Sequence, residues 1–92
     1  MKIQETNEDG GRASALALAA LGWTLSEAAR AERLLARTGV TPGDLRARIG
    51  EPAMQAAILR FLEAHEPDLI ACADALGVAP ARLASARREL EA

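Results

Sequence analysis

His65 and Cys72 are the side chains best equipped for chemistry, and they lie seven residues apart, two turns of a helix. A Cys–His nucleophilic pair needs the imidazole within hydrogen-bond reach of the thiol. Pro67 falls between them, however, and breaks the helix that would align the pair. The sequence therefore predicts His65 as a polar residue closing one helix and Cys72 as a small apolar filler in the next. A single His and a single Cys also fall short of a zinc site, which takes four protein ligands, or three plus water. Glu63, Glu66 and Asp68 have the composition of a cation site, but not the alternating oxygen ligands and central glycine of a calcium loop. Asp68, directly after Pro67, is better suited to a helix N-terminus. The stretch "EDGGR" lacks the lysine and the flanking strand of a phosphate cradle. No catalytic residue, cofactor or metal is expected, and the chain reads as a non-enzyme.

Arginine is the remaining charged chemistry. Arg30, Arg33 and Arg37 recur at helical spacing and form one stripe, with Glu27 and Glu32 close enough to pair. A solvated helix face is the plain reading; a surface for an acidic protein partner is the functional one, since guanidinium suits paired carboxylates. "TGVTPGDL" at Thr38–Leu45 and "LGVAPARL" at Leu76–Leu83 raise a different prospect, because a helix that stops at glycine and restarts at proline is how a helix-turn-helix reads. A DNA reader also needs donors along its second helix and basic groups for phosphates. Arg46 and Arg48 are followed at once by Gly50 and Pro52, while Arg82, Arg87 and Arg88 are followed by Glu89 and Glu91. The chain carries one lysine and a net charge of −2, where a nucleic-acid-binding domain is usually basic. With Trp23 and Phe61 as its only aromatics it has little on which to stack single-stranded bases. Nucleic acid is not the expected partner on this reading; a helix-turn-helix-like binder at the corner between the fifth and sixth helices is the alternative.

The elements that position these residues follow from composition and punctuation. A chain of 92 residues that is 50% hydrophobic and 26% charged fits one folded domain with a limited core. Its apolar residues are mostly Ala and Leu, so propensity favours an all-α fold. Residues 1–12 are polar and acidic and are expected to form a disordered tail, with a single helical domain over 13–92. "ASALALAALGW" (Ala13–Trp23) predicts a first helix, apolar nearly all round and hence central to the core. Thr24 with Glu27 spells a capping box for a second helix from about Leu25 to Thr38, whose inner face is Ala31, Leu34, Leu35 and Thr38. Gly39 ends it, and Thr41 and Pro42 open a short third helix that buries Leu45 and Ile49 and closes at Gly50. Pro52 opens a fourth helix with Met54, Ile58, Phe61 and Leu62 inward. Pro67 opens a fifth with Leu69, Ile70, Ala73 and Leu76 inward, stopped by Gly77. Pro80 opens a sixth that buries Leu83 and Leu90. The result is a compact bundle of about six short helices joined by Gly/Pro corners.

The order of these pieces resembles a domain-of-unknown-function family of short all-helical alphaproteobacterial proteins. The similarity runs from about Leu16 to Leu90 and rests on the Leu/Ala helix ending at Trp23, then "GVTPGDLRAR", "EPAMQAAILRFL" and "ALGVAP". The chain departs from the family at "TLSEA", where an acidic-proline turn is usual, and at Glu51, where Asp is usual. The resemblance implies an uncharacterised protein with no catalytic residues to carry over.

The apolar run before Trp23 is shorter than the ~20 residues a membrane span needs, and the residues ahead of it are acidic, unlike a signal peptide's basic start. The lone cysteine suits a reducing compartment, and a cytoplasmic location is expected. The expected function is a small protein-interaction module, regulatory in kind, with no small-molecule substrate in evidence. Helices three to six supply too little apolar cover for the whole first helix. The face around Leu18 and Leu25, beside Arg30, Arg33 and Arg37, is therefore the expected docking surface for a protein partner or a second copy of the chain.

Overall fold

The computed structural model describes the backbone of residues 2–92 and the side chains of residues 11–92. Six helices follow in order: α1 (Lys2–Leu25), α2 (Ala28–Thr38), α3 (Pro42–Arg48), α4 (Pro52–Glu63), α5 (Glu66–Leu76) and α6 (Pro80–Glu91). The all-α bundle is as the punctuation predicts. Each of the four prolines sits in the first turn of its helix, where the missing N–H leaves nothing unpaired.

The two glycine corners share a conformation and close differently. Gly39 and Gly77 both adopt the left-handed region, with φ of 73° and 72°. Beyond α5, Gly77 N–H donates to the Asp74 carbonyl at 3.1 Å and Val78 N–H to the Ala73 carbonyl at 3.0 Å, a Schellman closure. Beyond α2 a single bond serves, from Gly39 N–H to the Leu35 carbonyl at 2.9 Å, and Val40 N–H donates to Thr38 Oγ1 at 3.3 Å instead. Val40 and Val78 both pack back against the core. A Cβ on either glycine would meet no atom within 4 Å, so the penalty for alanine is purely conformational. Gly39→Ala and Gly77→Ala are each expected to lose about 1–2 kcal/mol by urea melts. Gly22→Ala, in the last turn of α1 with open space around it, is expected to gain up to roughly 0.5–1 kcal/mol. A shared sign at Gly22 and Gly77 would contradict the backbone assigned to these corners.

Among α2 to α6, only α3 opens on a side-chain cap. Asp44 N–H donates to Thr41 Oγ1 at 3.0 Å and Thr41 N–H to Asp44 Oδ2 at 3.5 Å, a reciprocal box that fixes the restart right after the Gly39 corner. Gly50 does not end α3 by a left-handed turn, since its φ is not positive. The chain leaves the helix because Glu51, preceding Pro52, is held extended (φ −85°, ψ 133°).

Several boundaries and burials differ from expectation. α1 starts at Lys2, not Ala13, and is already helical at the exposed Gly11 and Arg12. Adding turns to a formed helix is far cheaper than nucleating one. The disordered tail expected over residues 1–12 falls mostly on residues whose side chains lie outside the described ones. Thr24 does not cap α2. It is fully buried inside α1 and its hydroxyl donates to the Ala20 carbonyl at 2.8 Å, the back-bonding open to a threonine within a helix. The N-cap of α2 is Glu27, which makes no side-chain cap bond.

The core centres on α4 and not on α1. Met54, Gln55, Ala56, Ile58, Leu59, Phe61 and Leu62 are all buried, because α1, α2, α5 and α6 pack around this one helix. Gln55 is a buried amide whose Nε2 donates to the Ile49 carbonyl at 2.9 Å, satisfying the end of α3. α1 turns Ala13, Ala17, Ala20, Leu21 and Thr24 inward, chiefly against α6 and α4. α5 buries Cys72 and Ala73, with Leu69 and Leu76 partly covered; Ile70, expected inside, is 51% exposed because it lies one position off that stripe. In α6 Leu83 and Ala86 are buried and Leu90 is partly so. No single described helix is long and apolar enough to cross a membrane.

Candidate functional site

The stripe Arg30, Arg33, Arg37 is formed on α2, yet its three members do different work. Arg30 closes the α1–α2 corner. Its guanidinium lies over the Trp23 ring, 3.7 Å from the centroid, and Nη2 donates to the Trp23 carbonyl at 2.7 Å and to Ser26 Oγ at 2.9 Å. Nη1 pairs with Glu27 Oε2 at 3.3 Å. The Trp23 carbonyl also accepts from the Ser26 N–H at 3.2 Å and the Ser26 hydroxyl at 2.6 Å, and a planar guanidinium, with its fork of donors, suits stacking on the ring while joining that set. Its Nε is buried without a hydrogen-bond partner among the described residues, a cost the stacked position imposes. Arg33 reaches across to α5, where Nη2 meets Asp68 Oδ2 at 2.6 Å. Arg37 forms no ion pair with a described residue and sits in the last turn of α2, exposed.

Asp68 is the second anchor of this side of the bundle. Besides Arg33, it is met by His65 Nδ1 at 3.1 Å, and its side chain is mostly covered. His65 is therefore an exposed surface group tied to Asp68, whereas Cys72 is fully buried among core side chains. Burial pushes the Cys72 thiol up to about 11, against a lowering influence from Arg30 and with a smaller raising one from Asp68. At neutral pH it stays protonated, the opposite of an activated thiolate. The acids Glu63 and Asp68 turn to different arginines, Glu63 to Arg87 of α6 and Asp68 to Arg33.

The arginines of α6 are mostly engaged as well. Arg82 pairs with Glu89 at 3.1 Å, and Arg87 with both Glu63 and Glu91, the latter at 2.7 Å. Arg60 of α4 also holds Glu91, so the end of α6 is clamped onto α4. Arg88 is left exposed without an ion pair to a described residue.

Leu18 and Leu25 lie on the outer face of α1, each 43% exposed. With Ala15, Ala19 and Gly22, also exposed, they make a face that carries no charge from Ala13 to Leu25. The sequence anticipates this under-covered face. It does not anticipate that Arg30 and Arg33 are engaged by partners within the chain, because those partners, the Trp23 carbonyl and Asp68, are set by the α1–α2 corner and by where the start of α5 comes to stand beside α2.

A second feature escapes sequence reading altogether. Between the end of α2, the end of α3 and the outer side of α4 is a cleft of about 470 Å³. Val40, Met54 and Phe61 line it together with Arg37, Arg48 and Arg60. A smaller hollow of about 150 Å³ adjoins it, sharing Arg37 and Phe61 and adding Arg33 and His65. Helical periodicity shows Met54 and Phe61 as core residues but carries no signal that three arginines from three helices meet above them.

No curated protein and no solved structure matches the chain. A protein family does, over residues 11–92, which takes in α2 to α6 and α1 from Gly11 onward: the chain belongs to the family described as "Protein of unknown function (DUF3572)".

Proposed function

We propose that the chain is a small non-enzymatic, cytoplasmic protein-interaction module, regulatory in kind, that docks through the outer face of α1. The observation that carries this reading is the charge-free surface on which Leu18 and Leu25 are each 43% exposed. Two large aliphatic side chains one heptad apart, spaced by alanine and glycine, suit a facing helix that comes close enough to exclude water. Of the candidate partner residues, Leu18 and Leu25 are the anchors. Arg30 and Arg33 support the reading less, since each is already held by an internal partner. Self-association is the simplest version, because an uncharged helix face is complementary to itself across a two-fold axis. The nucleic-acid alternative draws little support, with Arg82 and Arg87 both tied to glutamates.

Light scattering over a concentration series, with affinity capture followed by mass spectrometry, is the test. Wild-type chain is expected to show a mass above the monomer or to retain a stoichiometric protein. Leu18→Glu is expected to remove that association while leaving the helical circular dichroism unchanged, since the side chain already faces solvent. If Leu18→Glu folds normally and associates as the wild type does, the α1 face is not the docking surface.

A further inference from the structure

We infer that the cleft between α2, α3 and α4 binds an amphipathic monoanion, a carboxylate carrying an apolar tail. The floor is apolar, formed by Val40, Met54 and Phe61 with small alanines between them. The cations around it are Arg37, Arg48 and Arg60, and no acidic side chain among the described residues lines it. At about 470 Å³ the cleft falls within the ~300–1,000 Å³ typical of small-molecule sites, which pair an apolar lining with a few placed polar groups.

Each of these arginines stands in the last turn of its helix, where the negative helix end favours a cation. That accounts for their places along three helices. It does not account for three such ends bordering one hollow, since Arg46 and Arg88 also occupy last turns and do not line it. The charge balance sets the ligand's valence. Arg48 Nε is paired with Glu51 at 3.0 Å and Arg60 with Glu91, so both are largely compensated. Arg37 has no such partner among the described residues, and of the three arginines it alone also borders the hollow toward His65. One uncompensated guanidinium over an apolar floor matches one carboxylate on a hydrocarbon or aromatic body, and a polyphosphate would lack counter-charge. The site lies apart from Leu18 and Leu25, so its failure and failure of the α1 docking face are separate results.

The test titrates octanoate into the full chain carrying ¹³C-labelled methyl groups, with octanol as the uncharged match. Octanoate is expected to shift the Val40 and Met54 methyls saturably, with octanol at least ~10-fold weaker, as a charge-assisted contact requires. Arg37→Glu is expected to weaken octanoate by ~10-fold or more and to leave octanol unchanged, while Arg88→Glu changes neither. Ala57→Phe, which fills the cleft from the wall of α4, is expected to abolish both, and it keeps the proposal testable should Arg37→Glu disturb folding. Equal binding of acid and alcohol, full octanoate binding by Arg37→Glu, or shifts that never saturate would each overturn the assignment. So would displacement of octanoate by an acidic, leucine-bearing peptide at far lower concentration, because the cleft would then be a protein groove.

Discussion

Leu59→Ala is expected to lower the unfolding free energy by about 2–5 kcal/mol, the range for emptying a buried leucine site that cannot fully collapse. Ile70→Ala is expected to cost less than roughly 0.5–1 kcal/mol, since half of that side chain already meets water. The two aliphatic residues are of equal size, and sequence periodicity ranks them in the opposite order. Leu59 lies off the stripe of Met54, Ile58, Phe61 and Leu62, yet it is fully buried because α4 is enclosed by helices on several sides. Domains of this size have total stabilities of about 5–15 kcal/mol. The Leu59 loss is therefore a large share of the whole and should lower the melting temperature by about 4–8 °C per kcal/mol. Chemical and thermal melts of both variants check it. A larger loss at Ile70 than at Leu59 would mean that α5 is rotated from its described position.

Ala17→Glu is expected to abolish cooperative folding, while Leu18→Glu, its immediate neighbour, leaves the fold intact. Ala17 has no exposed surface and belongs to the row Ala13, Ala17, Ala20, Leu21 and Thr24 that α1 lays against α6 and α4. A carboxylate forced there loses its water and finds no cation in the core cluster, at a cost of several kcal/mol even after relaxation. Its extra volume adds strain of about 1–3 kcal/mol in a packed site. Together these approach the stability of the domain, and circular dichroism with a thermal scan would show a lost or strongly depressed transition. One residue further on, the same change adds a charge to a face already in solvent. An Ala17→Glu variant that melts like the wild type would place the core on the other side of α1 and would remove the basis for the docking face as well.

Local chemistry was enough for the sequence to determine the helices and their corners. Pro42, Pro52, Pro67 and Pro80 each mark a helix start. Gly39 and Gly77 take the left-handed conformation that stops α2 and α5, and Thr41 with Asp44 makes the cap. These features depend on backbone groups within a few residues of each other, so the order of residues contains them. Thr24 shows where that logic ends. Its spacing to Glu27 satisfies a capping box, but the same hydroxyl has an equally local alternative in the Ala20 carbonyl, and only the packing of α1 chooses between them. Tertiary structure alone decided that α4 is the central helix, that Leu59 is inside and Ile70 outside, and that Leu18 and Leu25 stay uncovered. It also decided that Arg30 lies on Trp23, that Arg33 crosses 35 positions of chain to Asp68, and that Arg37, Arg48 and Arg60 meet at one cleft. The physical reason is common to all of these. Helical periodicity states which residues share a face, whereas burial and ion pairing depend on which other helices, distant in sequence, come to stand opposite that face.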